Sequence, residues 1–112
     1  MCIRDRGKIA VLIDDMIDTA GTLSQAANAL AAAGATHVYG VSTHAVCSGP
    51  AVERIRTCSF ERVFVTDTIP LGDKQDELPM VEVQSTAAIF ADAIRAIHFD
   101  DSISRLFLRT SN

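Results

Sequence analysis

Residues 11–23 read VLIDDMIDTAGTL, and this stretch sets the pattern that the rest of the chain follows. An apolar run meets the adjacent carboxylates Asp14 and Asp15, and a turn of small residues then leads into an alanine-rich segment. A short apolar run bounded in this way is typical of a strand buried on both faces, and the segment after the turn has helical apolar spacing. The stretch therefore predicts a strand, a tight loop and a helix in succession.

Strand and helix predictions alternate along the whole chain. Strands are predicted at residues 8–13, 37–43, 62–66 and 80–83. Helices are predicted from Leu23 to a left-handed cap at Gly34, over residues 50–58, and after a capping Ser85, with residues 67–79 as loop. The last helix has an apolar stripe at Phe90, Ala93, Ile94 and Ile97. This alternation predicts an α/β fold with parallel strands, right-handed crossovers and helices on the sheet faces.

Composition narrows the class of protein. With 112 residues, 48% of them hydrophobic, the chain is long enough for one domain with a modest core. A net charge of −4 argues against a nucleic acid partner, and the absence of a long apolar stretch argues against a membrane partner. Three cysteines without metal or redox spacing suit free thiols, so we expect a cytoplasmic protein. We interpret residues 1–6 as a disordered or foreign leader and residues 7–112 as the domain.

The loop between the first strand and the first helix has the chemistry of a sugar phosphate site. Backbone N–H groups at a helix start attract anions, small residues allow close approach, and Thr19 and Thr22 add hydroxyl donors. Asp14 and Asp15 would repel a phosphate but can accept hydrogen bonds from sugar hydroxyls. The simpler alternative is that Thr19 or Thr22 caps the helix and that the carboxylates are solvated charges at a strand end.

The segment IDDMIDTAGTL resembles the ribose 5-phosphate and phosphoribosyl diphosphate signature of the phosphoribosyltransferase-fold superfamily. In its particular residues the segment is similar to the ribose-phosphate pyrophosphokinases, also called phosphoribosyl diphosphate synthetases. STHAVCSGPAVERI, VTDTIPL and SISRLF are each similar to segments of that family in the same order, so the resemblance covers residues 7–107. It implies a phosphoribosyltransferase-like (type I) parallel-sheet sandwich, incomplete at its N-terminal side.

The resemblance also implies roles for named residues. Asp14 and Asp15 would bind the ribose hydroxyls, and the 5-phosphate would be held by Asp18, Thr19, Ala20, Gly21 and Thr22. The implied reaction transfers the pyrophosphoryl group of ATP to the anomeric hydroxyl of ribose 5-phosphate, with Mg²⁺ shielding the triphosphate, and releases AMP. A regulatory phosphate or nucleoside diphosphate site between subunits would include Ser102, Ser104 and Phe107.

Much of what such an enzyme needs has no counterpart in this sequence. In the family, the catalytic residues, the ATP contacts and most metal ligands precede the signature, and neither Lys8 nor Lys74 lies in a matching context. The chain therefore resembles the C-terminal third of a synthetase, and we expect this third to be inactive alone. The resemblance also implies that the complete protein forms a hexamer. Missing neighbouring strands would expose apolar edges, so we expect self-association.

Three other functions fit parts of the pattern. A nucleobase phosphoribosyltransferase would use the same loop but would lack the TDTIPL and SISRLF segments. A non-catalytic regulatory homologue of the synthetase would keep the loop and the assembly surface. A phosphoacceptor signalling domain would use paired acids with Asp67 but has no role for the DTAGT loop. His44, at a strand end, is either a ligand contact or a structural histidine.

Overall fold

The computed structural model describes residues 6–104 and residue 106. The elements in this part of the chain are, in order, β1 (Ile9–Ile17), α1 (Gly21–Ala32), β2 (His37–Ala45), α2 (Ala51–Thr57), β3 (Arg62–Thr66), α3 (Lys74–Glu77), β4 (Val81–Gln84) and α4 (Ala87–His98). The strands form one sheet in the order β1-β2-β3-β4, and each neighbouring pair is parallel. The prediction of an α/β fold with parallel strands is confirmed.

The first strand is longer than the sequence indicates. β1 continues past Ile13, because Asp14 pairs with Ser42 and Met16 pairs with His44 on β2. The prediction that the two carboxylates follow the strand is therefore wrong. A parallel ladder uses only backbone groups, so exposed acidic side chains do not interrupt it.

One face of the sheet is covered by α1 and α2. Ala27 of α1 and Ile55 of α2 are both buried, and they share a core with the inward-facing residues Val38, Val63 and Val65 of the strands. At the end of α1 the chain reverses through a left-handed residue, as predicted: Gly34 has φ +97°. A β-carbon there would meet atoms of Arg6, so glycine suits the position both in conformation and in space.

The opposite face of the sheet is open. Ile9, Val11 and Ile13 alternate along β1 and are 51–80% exposed, and Val41, which pairs with Ile13, is 36% exposed. The prediction that the first strand is buried on both faces is therefore wrong for this chain. We define these four residues, together with Tyr39, as the open face.

The last helix does not cover the open face. None of the residues of α4 is buried, and its predicted apolar stripe remains exposed, with Phe90 at 58%, Ile94 at 67% and Ile97 at 64%. Thr86 occupies the N-cap, while the Ser85 hydroxyl accepts a hydrogen bond from the N–H of Ala87 at 3.3 Å. Among the described residues, the expectation of helices on both sheet faces is thus met on one face alone.

Two smaller findings complete the fold. The segment predicted as loop, residues 67–79, contains the single turn of α3. None of the helices in the described part of the chain is both long and apolar enough to span a membrane.

Candidate functional site

A cavity of about 180 Å³ opens at the carboxyl end of β1, where α1 begins. Ligands of parallel α/β sheets collect at this edge because the loops that follow the strands meet there. The cavity is lined by one continuous piece of chain, namely Asp14, Met16, Ile17, Asp18, Thr19, Ala20, Gly21, Thr22 and Leu23. All five residues predicted to hold a phosphate therefore line it, and we call residues 18–22 the phosphate loop.

The backbone N–H groups of the phosphate loop are available for a ligand. Within the described residues, the N–H groups of Thr19, Ala20, Gly21 and Thr22 donate no hydrogen bond, and the first helical bond runs from Ser24 N to Ala20 O at 3.0 Å. Helix α1 has no side-chain cap. The simpler alternative, in which a threonine of this loop caps the helix, is therefore wrong, and the orphan donors that every helix start leaves remain unsatisfied.

The backbone conformation at Ala20 shapes this group of donors. Ala20 is the N-cap residue and adopts the left-handed region with φ 57° and ψ 15°. Successive N–H groups around a left-handed residue form a concave nest that binds anions. Since α1 adds the positive end of its dipole, the loop is suited to a phosphoryl group.

The two adjacent carboxylates are not equivalent in the structure. Asp14 lines the cavity and also accepts a hydrogen bond from the N–H of Asp15 at 2.9 Å. Asp15 does not line the cavity. The structure therefore brings Asp14 together with the phosphate loop and places Asp15 apart from them.

Other polar residues at the carboxyl ends of the strands bond to one another. His44 Nδ1 lies 2.8 Å from the Thr68 hydroxyl. Asp67 Oδ1 accepts hydrogen bonds from the N–H of Thr86 at 2.8 Å and from its hydroxyl at 2.6 Å, and these bonds lower the pKa of Asp67. None of these residues lines the loop cavity.

Two residues that sequence reasoning did not assign to the site contact the loop from outside. The Ser48 hydroxyl donates to the Asp18 carboxylate, and Arg54 Nη1 donates to the Thr19 carbonyl oxygen at 3.0 Å. Ser48 belongs to the β2–α2 turn and Arg54 to α2. Parallel pairing of β1 with β2 brings their following segments side by side, which is the signal that could have identified them.

The remaining candidate groups do not assemble a metal site or a reactive thiol. Among the described residues, no group of three or more histidine, cysteine, aspartate or glutamate side chains could hold a metal ion. Cys47 is 3% exposed, and its burial raises the pKa of the thiol, which makes it a poor nucleophile. Burial likewise raises the pKa of the Cys58 thiol. Cys2 lies outside the described residues.

The predicted regulatory residues are only partly described. Ser102 and Ser104 are exposed, beyond the end of α4. Phe107 lies outside the described residues. The structure therefore leaves the regulatory site as a prediction.

Comparisons with known proteins agree on one family. The family described as "Phosphoribosyl synthetase-associated domain" matches residues 3–108. A protein named ribose-phosphate pyrophosphokinase, from Caldanaerobacter subterraneus subsp. tengcongensis, is 49% identical over 102 residues, which cover 91% of this chain and 32% of that protein. The crystal structure of phosphoribosylpyrophosphate synthetase from Mycobacterium smegmatis matches with a TM-score of 0.80 and 41% identity, over 85% of this chain and 32% of that one. The chain thus spans about a third of the length of these relatives.

Proposed function

This chain belongs to the phosphoribosyl synthetase-associated family, and from that membership we propose that it is the ribose 5-phosphate-binding part of a ribose-phosphate diphosphokinase. One observation carries the proposal: the residues of the phosphate loop, whose N–H groups from Thr19 to Thr22 are unpartnered within the described residues, line the same cavity as Asp14. Donors for a phosphate and an acceptor for hydroxyls within one cavity match the two halves of a sugar phosphate.

The proposal assigns each half of the ligand to different residues. The 5-phosphate accepts hydrogen bonds from the N–H groups of the phosphate loop and from the hydroxyls of Thr19 and Thr22, which donate none within the described residues. The Asp14 carboxylate accepts hydrogen bonds from the ribose hydroxyls. Asp15 is proposed as the second hydroxyl-binding carboxylate, and it is the weaker assignment because it does not line the cavity.

In the complete enzyme, the reaction would transfer diphosphate from ATP to the anomeric hydroxyl of the bound sugar, forming phosphoribosyl diphosphate and AMP. From the family resemblance, we assign the catalytic groups, the ATP contacts and most of the Mg²⁺ ligands to the part of the enzyme beyond this chain. The contribution of this chain is then to bind and orient ribose 5-phosphate. Orientation of a reacting group is a principal source of rate in phosphoryl transfer.

The same proposal extends to assembly and control. The complete protein would form a homo-oligomer, a hexamer as in the family, in the cytoplasm. Ser102, Ser104 and Phe107 would contribute to a regulatory phosphate or nucleoside diphosphate site between its subunits. The relatives are named as pyrophosphokinases and synthetases, which does not favour a nucleobase phosphoribosyltransferase.

Calorimetric titration with ribose 5-phosphate tests the proposal, using the wild-type chain and Thr22→Ala. The variant removes one donor to a charged phosphate, a bond worth about 1.5–3 kcal/mol, so affinity should fall about tenfold or more. Alanine is a better helix former than threonine, so α1 should remain folded.

Thr36→Ala is the matched control. It makes the same chemical change beside the start of β2, at the opposite end of the strands, where the Thr36 hydroxyl bonds to the Lys8 carbonyl. It should leave the affinity unchanged. Equal affinity of Thr22→Ala and wild type, or failure of the wild-type chain to bind, would count against the proposed site.

A further inference from the structure

The phosphate loop is held from outside by the segment from Cys47 to Arg54. Cys47 N donates to Ile17 O at 2.9 Å, and Ser48 N donates to Asp18 O at 3.0 Å. Arg54 Nη1 then donates to Thr19 O at 3.0 Å. One neighbouring segment thus binds three consecutive carbonyl groups of the chain that enters α1. No residue of that segment lines the cavity.

Because each peptide group is planar, a bond that holds a carbonyl also fixes the direction of the N–H group that follows it. In a trans peptide, the carbonyl of one residue and the N–H of the next point in opposite directions. The structure contains no cis peptide in the described residues, so holding the Thr19 carbonyl toward Arg54 directs the Ala20 N–H away from α2. The two preceding bonds do the same for the N–H groups of Asp18 and Thr19.

Arg54 differs from the other two contacts because it is charged and because the loop makes room for it. A β-carbon on Gly21 would lie 3.1 Å from Arg54 Nη1, so a glycine permits the guanidinium to lie against the loop. The nearby carboxylates of Asp14 and Asp18 are repulsive toward a phosphate. Arg54 is the cationic side chain that hydrogen-bonds to this loop among the described residues.

We infer that Arg54 is a positioning residue of the phosphate loop: its guanidinium fixes the Thr19 carbonyl, so that the N–H groups of the loop face the cavity, and it offsets the neighbouring carboxylates. This inference rests on the proposed function, and it adds a residue from a different element to that site. Arg54 acts through the loop and not by contact with the sugar.

The test compares Arg54→Ala, Arg54→Lys and the control Arg56→Ala by titration with ribose 5-phosphate. Arg56 lies on the same helix and is also exposed, but its ion pair is with Glu53 and not with the loop. Arg54→Ala should weaken binding about tenfold or more, because both a bond and a nearby charge are lost. Arg54→Lys should restore part of the affinity, since it keeps the charge without the planar fork, and Arg56→Ala should change little.

A second measurement tests the positioning role of Arg54 without any ligand. The amide NMR signal of Ala20 reports the peptide unit that Arg54 holds, so it should move in Arg54→Ala and stay in place in Arg56→Ala. An unchanged Ala20 signal would overturn the role of Arg54, as would equal loss of affinity in both alanine variants. Failure of the wild-type chain to bind ribose 5-phosphate would instead count against the proposed function, and the Ala20 signal would still decide the role of Arg54.

Discussion

Ala20 adopts a left-handed backbone conformation that is unfavourable for a residue with a side chain. A non-glycine residue in the left-handed region costs about 1–2 kcal/mol, which glycine would avoid. Its side chain is 6% exposed and belongs to the core cluster, so the methyl group packs where glycine would leave a gap. Strained residues of this kind often lie at functional sites, and this one forms the turn of the phosphate loop.

The lowered pKa of Asp67 leads to a prediction about how stability depends on pH. Hydrogen bonds from Thr86 stabilise the charged carboxylate and lower its pKa. A lowered pKa means that the stabilisation is present above the pKa of the unfolded chain and is lost as the pH falls through the folded value. Thr86→Val removes the hydroxyl donor and keeps the backbone N–H, so the pKa of Asp67 should rise part of the way to its ordinary value.

NMR titration of the Asp67 carboxyl carbon measures this change. Thr57→Val is the control, because the Thr57 hydroxyl donates to the Glu53 carbonyl within α2 and does not touch Asp67. The stability of Thr86→Val should also depend less on pH in the acidic range than that of the wild type. If the pKa of Asp67 is the same in both proteins, the hydroxyl bond does not stabilise the carboxylate.

At the level of elements, β1 and α1 form the unit that builds the site. Ala27 is fully buried where α1 packs on the sheet, so small side chains set the distance between the helix and the strands. The position of the phosphate loop depends on this distance, because the loop joins the two elements directly. The alanine-rich pattern that predicted the helix therefore also explains its close packing.

Ala27→Leu tests how tightly this unit is packed. Adding a larger side chain to a filled core typically costs about 1–3 kcal/mol, and we expect the midpoint of urea unfolding to fall accordingly. Ala29→Leu is the matched control, since Ala29 is exposed on the same helix and leucine is also a good helix former. Similar midpoints for the two variants would show that α1 does not pack closely on the sheet.

Sequence reasoning succeeded for elements that depend on local pattern and failed where a neighbour decides the outcome. β3 was predicted with its observed ends, Arg62 and Thr66, because three consecutive strand-forming residues, Val63 to Val65, lie between polar residues. β1 was predicted to end too early, because its polar residue Asp14 is held in the strand by pairing with Ser42 of β2. The contact of Arg54 with the loop joins residues 35 positions apart, so the predicted pairing of β1 with β2 brings the two segments side by side but does not specify the contact itself.

At the scale of the whole molecule, the chain exposes two apolar surfaces. One is the open face of the sheet, and the other is the stripe of α4 that contains Phe90, Ile94 and Ile97. Large exposed apolar patches are rare on monomeric proteins and usually mark contact surfaces. Self-association remains a prediction, for which these two surfaces give a reason besides the exposed strand edges.

Ile94→Glu should reduce self-association of the chain, because it places a charge in the centre of the α4 stripe. Ala88→Glu is the control: it adds the same charge on the same helix, at an exposed position outside the stripe. Analytical ultracentrifugation over a range of concentrations measures the effect. If wild type, Ile94→Glu and Ala88→Glu sediment alike, the stripe of α4 does not mediate association.

The sequence by itself determined the order of the four strands and of α1, α2 and α4, the parallel sheet and the position of the phosphate loop, because these follow from short-range periodicity, the handedness of crossovers and the residues of one turn. The tertiary structure alone decided that β1 extends through Asp14 and Asp15, that Asp14 and not Asp15 lines the cavity, and that Arg54 holds the loop. It also decided that one face of the sheet is open. The extension of β1, the open face and the contact of Arg54 each depend on residues far apart in the chain, whose proximity is created by the packing of whole elements.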